Sequence, residues 1–593
     1  MEFRRLFEIL SFQNQMYPQK VAIASKEGKR WKSYSTEEAL EVVQQLSAGL
    51  LDLGLKKGDR VGIMSYNGSA VWNLFDQALL QIGMVVVPIH ATCNPRDLAF
   101  ILTDAEVKCC LASDLLLCEK LKAQQTNAKS LRHIYSIQEI ADFTHWKSLL
   151  KVPIAKHLAV FETMRAAIHE DDLATIIYTS GTTGNPKGVM LSHKNIISNI
   201  KAIISLAPVN CDKRVFSFLP LSHVFERMAT YFYMAVGASI YYAERPETIL
   251  SDMATVKPHY MTSVPRFLEK IYNGVEQSFR QKSALVRKVF RWAIDLGKRY
   301  EERRNQPPLY WLKLKLADLL FYRRLRGLLG GRLEGIIVGA AALPPHLARL
   351  FCAAGLEVRE GYGLTETSPV LTFNRFEPGG VRFGTVGTTI PGVELRIHEP
   401  DEEGNGEIVV RGPNVMLGYY KRNDLTEAVK NEDGWFYTGD VGRIVYKRFL
   451  KITDRKKDIF KTTSGKYVAP LYVENHLRQS AYIDQCMVIG FNRPFVSALI
   501  IPDFIQLEQW CIEHDVHWTA PQYMVLNPRV VQFYDELVVR LNQDLKKNER
   551  VRKFLLLHEN WTEEKGELTL TAKLRRSSIV ENNKKAIDAL YPS

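Results

Sequence analysis

No stretch of this 593-residue chain is long and apolar enough to span a bilayer. The longest apolar runs, such as 84–89 extended back to Leu79, fall short of the roughly 18 residues a spanning helix needs. The opening segment MEFRRLFEILSFQ carries Arg4 and Arg5 but breaks its apolar stretch with Glu8, so the core of a secretory signal is missing and a cytoplasmic location is expected. The eight cysteines, at 93, 109, 110, 118, 211, 352, 486 and 511, form no CxxC pair and have no His at zinc-finger spacing. That argues against a disulfide framework or zinc site and for reduced thiols. Internal repeats and low-complexity tracts are also lacking. With 46% hydrophobic and 24% charged residues, the composition excludes a disordered or collagen-like chain. At roughly 150 residues per domain, the length excludes a single small binding module.

Acidic residues are in deficit. There are 65 Asp and Glu against 78 Lys and Arg, a net +13, which favours an anionic partner: nucleic acid, a phosphorylated small molecule or a membrane surface. The excess is local. Between Arg280 and Arg332 there are fifteen Lys and Arg against four acids (Asp295, Glu301, Glu302, Asp318), a net +11. There Val286, Val289, Phe290, Ala293, Leu296 and Tyr300 recur at helical spacing with basic residues mostly off the stripe, the pattern of a basic amphipathic helix. After Pro307 and Pro308 the run YWLKLKLADLLFYRRLRGLL is apolar almost all round, and two linked helices are expected. Docking to anionic lipid, with Trp292, Tyr310 and Trp311 at the interface, is one reading of this segment. A solvated face or a self-association surface, as in a homodimer, is equally open. No nucleic-acid reader motif accompanies the charge, so no nucleic-acid partner is expected.

Elsewhere short apolar runs alternate with helical patterns: VGIM and MVVVPI around a helical stretch near 69–81, then 173–178, 215–219 and 336–338. The expected fold class is α/β with mostly parallel sheets, whose ligands gather at the carboxyl ends of strands. From 391 to 440, Gly- and Asp-rich turns separate short runs such as EIVVRG, which reads as a compact, more antiparallel section.

The most informative string is YTSGTTGNPKGVMLSH at 178–193. An apolar run leads into small Ser, Thr and Gly residues whose backbone N–H groups can face a phosphate, and Lys187 follows. A Walker A loop is excluded, because Pro186 stands where its second Gly belongs and Gly188 follows the Lys.

This string resembles the phosphate-loop signature of the adenylate-forming (AMP-binding) superfamily. GYGLTETSP at 361–369, GWFYTGDVG at 434–442, DRKKD at 454–458 and GELTLTAKLRR at 566–576 match the family's other signatures in the same order. LPLSHVFER at 219–227, VPRFLEKIY at 264–272, KTTSGKYVAP at 461–470 and the helical insertion resemble the long-chain fatty acyl-CoA synthetase branch.

The resemblance implies an N-terminal AMP-binding domain over 1–456, with mostly parallel sheets, a small β-barrel-like section and the basic helical insertion at about 276–332. A smaller, mobile α+β C-terminal domain over 457–593 would carry the catalytic lysine. It implies ATP-dependent ligation of a long-chain fatty acid to coenzyme A through an acyl-AMP intermediate, with Mg2+ as cofactor. A medium-chain or aryl acid CoA ligase, or an acyl-AMP ligase loading a carrier protein, stays open. Thr179, Ser180, Gly181, Thr182, Thr183, Gly184 and Lys187 would hold the phosphates, with Thr183 and Glu366 on the metal. Thr365 would contact the α-phosphate, and Gly361, Tyr362 and Gly363 with Gly339, Ala340 and Ala341 would enclose the adenine. Asp440 and Arg455 would hold the ribose, and Lys457 would be the hinge. Lys573 would be the catalytic lysine, with Lys565 as a poorer rival and Leu570 in place of a Pro common in this branch. Glu366 would act in catalysis through that metal. His223 would border the acyl and thioester-forming site or be a structural histidine beside Glu226. Phe225 and Tyr231 would gate an acyl tunnel or belong to the core.

Overall fold

The computed structural model describes the whole chain except residues 1, 29, 180–184, 281, 303–305, 464–466, 564, 570–572 and 592–593. The chain divides into two compact units. The first comprises Met1–Leu395, Val410–Phe436 and Tyr446–Leu450; the second comprises Arg396–Val409, Tyr437–Val445 and Lys451–Ser593.

The first unit is built on two large sheets. In the eight-stranded sheet the spatial order is Gly418–Tyr419, Lys187–Ser192, Leu173–Thr179, Val85–His90, Arg60–Ser65, Cys109–Ala112, His133–Ser136 and Thr144–His145. From Leu173–Thr179 onward the pairs are parallel, and the two strands at the other end are antiparallel. The expected runs become strands because they are apolar on both faces: five of the six residues of Arg60–Ser65 are buried, as parallel strands covered on two sides require. All twelve residues of helix Ala70–Gln81 are buried, beginning at an N-cap where Ser69 accepts from the Trp72 amide. The buried Asp76 on this helix is ion-paired with Arg227 at 2.6 Å.

The nine-stranded sheet runs in the order Thr388–Thr389, Val370–Phe373, Glu357–Gly363, Gly335–Val338, Tyr260–Ser263, Arg214–Ser217, Ser239–Tyr242, Ile23–Glu27 and Arg30–Tyr34. Its central strands, from Glu357–Gly363 to Ile23–Glu27, are all parallel. Four parallel neighbours, Arg214–Ser217, Tyr260–Ser263, Gly335–Val338 and Glu357–Gly363, therefore point their carboxyl ends the same way.

The basic segment packs on this sheet's core through helix Ala284–Lys298 and a second helical run, Pro308–Ala317, a π-helical turn Asp318–Tyr322 and Arg323–Leu328. Phe290, Ala293 and Leu296 are buried as the spacing predicts, joined by Ile294 and Gly297, while Val286 is exposed on the helix's first turn. Phe290 stacks on Phe279 with centroids 4.5 Å apart. Trp292 and Tyr310 are half-buried against this core, and the Tyr310 hydroxyl donates to the Leu296 carbonyl at 3.1 Å. Trp311 meets Tyr310 edge-on. The aromatics thus serve the inner side of the insertion.

In the second unit, strands Ile483–Ile489, Val496–Pro502 and Val551–Leu556 form a mixed sheet. Alternation sorts its side chains. Cys486 and Val488 join one core with helices Pro470–Leu477, Phe504–Glu513 and Pro528–Leu541, whereas Met487 and Ile489 join a second with Ile579 and Ile587 of the last two helices. Most residues of a four-stranded sheet, ordered Glu394–His398, Gly406–Arg411, Phe436–Val445 and Phe449–Arg455, also belong to this unit, where turn-rich short runs are expected. Among the described residues no helix is long and apolar enough to cross a membrane.

Candidate active site

In the first unit the phosphate-loop string forms a hairpin. Strand Leu173–Thr179 pairs antiparallel with Lys187–Ser192, placing Thr179 opposite Lys187 and Tyr178 opposite Gly188. Ser180, Gly181, Thr182, Thr183 and Gly184 lie outside the described residues. Gly188 is needed for packing, since a Cβ there would meet Ile176 at 2.7 Å. The next strand across, Gly418–Tyr419, brings in a residue that no motif flagged. The Lys187 ammonium lies 4.9 Å from the Tyr419 ring centroid, and the Tyr419 hydroxyl donates to Glu366 Oε1 at 2.9 Å. Burial and the Glu366 carboxylate both push the Tyr419 phenol well above its ordinary pKa, so it stays a donor. Lys187, Tyr419 and Glu366 therefore form one assembly from three distant parts of the chain.

Glu366 sits in a short turn, Thr365–Thr367, just past strand Glu357–Gly363. The turn is held on several sides. The Met416 amide donates to the Glu366 carbonyl at 2.8 Å, Asn414 Nδ2 to the Thr367 carbonyl at 2.8 Å, and the Leu364 amide to Thr367 Oγ1 at 3.0 Å. Gly363 cannot be replaced without moving backbone, because a Cβ would fall 1.8 Å from the Pro369 carbonyl oxygen. Tyr362 is buried, and Gly361 and Thr365 are half-buried.

The neighbouring strand ends supply the rest. Val338 is in register with Glu360, so the segment after Gly335–Val338, carrying Gly339, Ala340 and Ala341, emerges beside the segment carrying 361–366. The Gly339 amide donates to the Ser263 carbonyl at 3.2 Å, and a Cβ on Gly339 would lie 3.2 Å from the Phe225 ring. Ala340 takes a left-handed φ of 70°, and Ala340 and Ala341 are exposed. Buried Glu360 accepts from the Leu343 amide at 3.2 Å and ties this loop to its own strand. Burial raises its carboxyl to about 8.

His223 is half-buried at the N-cap of helix Val224–Ala235, where its Nδ1 accepts from the Phe225 amide at 3.3 Å. Glu226 turns into the core, accepting from Ser217 Oγ at 2.5 Å and from Thr262 Oγ1, and burial raises it to about 7. Of the two aromatics in doubt, Phe225 faces Gly339 at the strand ends. Tyr231 is fully buried and donates to Asp76 beside Arg227, so it belongs to the core.

The second unit holds the remaining residues. Asp440 is buried, and the Arg455 guanidinium approaches its Oδ1 at 3.4 Å. Their backbone is fixed by Gly439, with φ 72°, whose amide donates to Glu407 and whose carbonyl accepts from the Lys456 amide. Lys457 is exposed in the turn after strand Phe449–Arg455, and the Asp458 amide donates back to the Arg455 carbonyl at 2.9 Å. Lys573 is half-buried: the Thr569 amide donates to the Lys573 carbonyl at 2.7 Å, and the Lys573 amide to Thr569 Oγ1 at 3.0 Å, while 570–572 lie outside the described residues. Three residues on, Arg576 is paired through both terminal nitrogens with Glu474 at 2.7 Å and lies 3.7 Å from Asp458. Lys565 is exposed and ion-paired with Glu559 at 2.5 Å.

Residues 10–420 match the family model described as AMP-binding enzyme, and residues 457–593 match that of the AMP-binding enzyme C-terminal domain. The chain belongs to the AMP-binding enzyme family. This AMP-binding enzyme is 33% identical to the long-chain-fatty-acid CoA ligase FadD15 of Mycobacterium bovis, over 95% of its own length and 92% of the relative's. It is 32% identical to long chain acyl-CoA synthetase 3 of Arabidopsis thaliana (98% and 90% covered), and 30% identical to long-chain-fatty-acid CoA ligase 6 of Mus musculus (95% and 82%). Among solved structures, the adenylation domain of a carboxylate reductase from Mycobacterium chelonae superposes with TM-score 0.76 at 20% identity, covering 99% and 91% of the two chains. The anthranilate CoA ligase AuaEII superposes with TM-score 0.71 at 19% identity, covering 98% of each. These two likenesses establish the shared α/β fold.

Proposed function

We propose that this AMP-binding enzyme joins a long-chain fatty acid to coenzyme A in two half-reactions. A fatty carboxylate oxygen attacks the α-phosphorus of ATP, the bond to the β-phosphate oxygen breaks, and pyrophosphate leaves acyl-AMP behind. The sulfur of coenzyme A, having given up its proton, then attacks the acyl carbon, and AMP departs with the bonding pair. The observation that carries this reading is the convergence of Lys187 and Glu366 on Tyr419 beside the phosphate-loop hairpin. It puts one cation for phosphate and one carboxylate for a hard metal in a single assembly. The long-chain ligases at 30–33% identity support the same chemistry.

The donor set fits Mg2+. Among the described residues no cluster of three His, Cys, Asp or Glu could hold a metal, and a single oriented carboxylate completed by phosphate oxygens and water is how Mg2+ is commonly bound. Glu366 would hold it, with Thr183 from the loop, and the bound ion would neutralise phosphate charge. Asp440 and Arg455 hold the ribose, and Tyr362 with 339–341 and 361–363 encloses the adenine. Lys573 bridges the carboxylate and α-phosphate as two anions are brought together, where a compact ammonium is most effective. The turn at Lys457 is the hinge between half-reactions. His223 and Phe225 border the acyl end. The net +11 of the basic insertion supports a place at the cytoplasmic face of an anionic membrane.

Thioester formation with free coenzyme A across saturated acids from short to very long chain tests this reading. A kcat/KM maximum at long chains is expected. A maximum at medium-chain or aromatic acids, or acyl-AMP formed without thioester, overturns it.

A further inference from the structure

The outward face of the helical insertion carries a row of leucines left exposed among the described residues. Along Pro308–Ala317 and the turn after it, Leu309, Leu312, Leu316 and Leu319 are 59%, 65%, 50% and 65% exposed. Steps of three and four residues put them on one side of the helix. The opposite side is the packed one, where Ala317, Phe321, Tyr322 and Leu325 are buried in the core and Tyr310 and Leu314 lean against it. This resolves why the run reads as apolar all round: it has two apolar faces, and only one is used by the fold.

The charge around the row has one sign. Lys313, Lys315, Arg323 and Arg324 are exposed beside the leucines. Three of the segment's four acids are taken up in ion pairs, Glu301 with Arg349 at 2.7 Å, Glu302 with Arg359 at 2.9 Å and Asp318 with Arg326 at 2.5 Å. Among the described residues, ten of the stretch's Lys and Arg are exposed, Lys313, Lys315, Arg323 and Arg324 among them.

We infer that the Leu309, Leu312, Leu316 and Leu319 face of the insertion docks on an anionic phospholipid surface, inserting the leucines among the acyl chains while the flanking Lys and Arg meet headgroup phosphates. This rests on the membrane reading above and replaces Trp292, Tyr310 and Trp311 as the anchoring residues. Exposed apolar side chains in a helical row, rimmed by cations, are the features of a helix that lies in the interface. Local positive charge adds attraction specific to anionic lipid.

The test is flotation of the full chain with phosphatidylcholine vesicles containing about a third phosphatidylserine, against pure phosphatidylcholine. Wild type is expected to float with the anionic vesicles and not with the neutral ones. L309Q/L312Q/L316Q/L319Q should lower the bound fraction about tenfold or more, and K313E/R323E/R324E should do the same at low salt. Because these side chains are exposed, both variants should unfold at the wild-type temperature and keep wild-type thioester formation from fatty acid delivered on albumin. Undiminished flotation of the leucine variant, or wild type indifferent to anionic lipid, overturns the inference. So does a leucine variant that changes sedimentation from dimer to monomer while binding vesicles normally. Failure of the ligase reading would appear instead in the albumin assay of wild type.

Discussion

Tyr419 is the residue on which two expected groups meet, and its hydroxyl and ring act separately. Tyr419→Phe keeps the ring under Lys187 and removes the donor to Glu366. A fall of about tenfold in kcat/KM for ATP is expected, in line with a hydrogen bond to a charged acceptor, with the unfolding temperature nearly unchanged. Steady-state kinetics at several Mg2+ concentrations would show it. The buried carboxyls give a pH prediction. Glu226 rises from 4.5 to about 7 and Glu360 from 4.5 to about 8, both through burial. The folded protein holds these protons to higher pH than the unfolded chain does. Their contribution to stability is thus complete below about pH 4.5 and is lost as pH rises through about 7 and 8. The difference in melting temperature between wild type and Glu360→Gln should therefore move in favour of the variant from pH 5 to 8, and a difference constant with pH would contradict this. Lys187, Glu366 and Asp440 stand out in the sequence because each lies in a string of glycines and polar residues, and Arg455 because it lies in a run of charges; the roles given to them remain proposals. Tyr419 does not stand out, because its role depends on a two-residue strand pairing with residues more than two hundred positions earlier.

At the scale of elements, the parallel strands decide where the site lies. Runs such as 173–178 and 336–338 are apolar over nearly their whole length, so they could be read as covered strands, and the loops after them as ligand-facing. The insertion was harder. Its first helix shows a clean stripe, but in the second an apolar residue points almost everywhere, and hydropathy alone does not say which side meets the core. The buried pair between Arg227 on helix Val224–Ala235 and Asp76 on Ala70–Gln81 has no signal in the sequence, since the two lie 151 positions apart in no shared motif. Arg227→Leu leaves Asp76 buried without its cation, and a loss of about 3–5 kcal/mol in urea unfolding is expected. A loss under 1 kcal/mol, on the order of a surface pair, would mean that the two helices are held by packing alone.

For the whole molecule, the net +13 separates into an insertion carrying +11 and a remainder close to neutral, so the excess lies apart from the residues proposed for catalysis. The residues proposed for chemistry are distributed over both compact units: Lys187, Tyr419 and Glu366 in the first, Asp440, Arg455, Lys457 and Lys573 in the second. Arg576, three residues after Lys573, is tied to Glu474 and approaches Asp458 in the Lys457 turn, which links the proposed catalytic and hinge segments inside one unit. The most direct measurement is the rate of pyrophosphate release from ATP and fatty acid, without coenzyme A, for Lys573→Ala beside Lys565→Ala. A fall of about a hundredfold or more for Lys573→Ala is expected, with Lys565→Ala near wild type and both still converting supplied acyl-AMP and coenzyme A to thioester. Pyrophosphate release at the normal rate from Lys573→Ala would contradict the proposed mechanism.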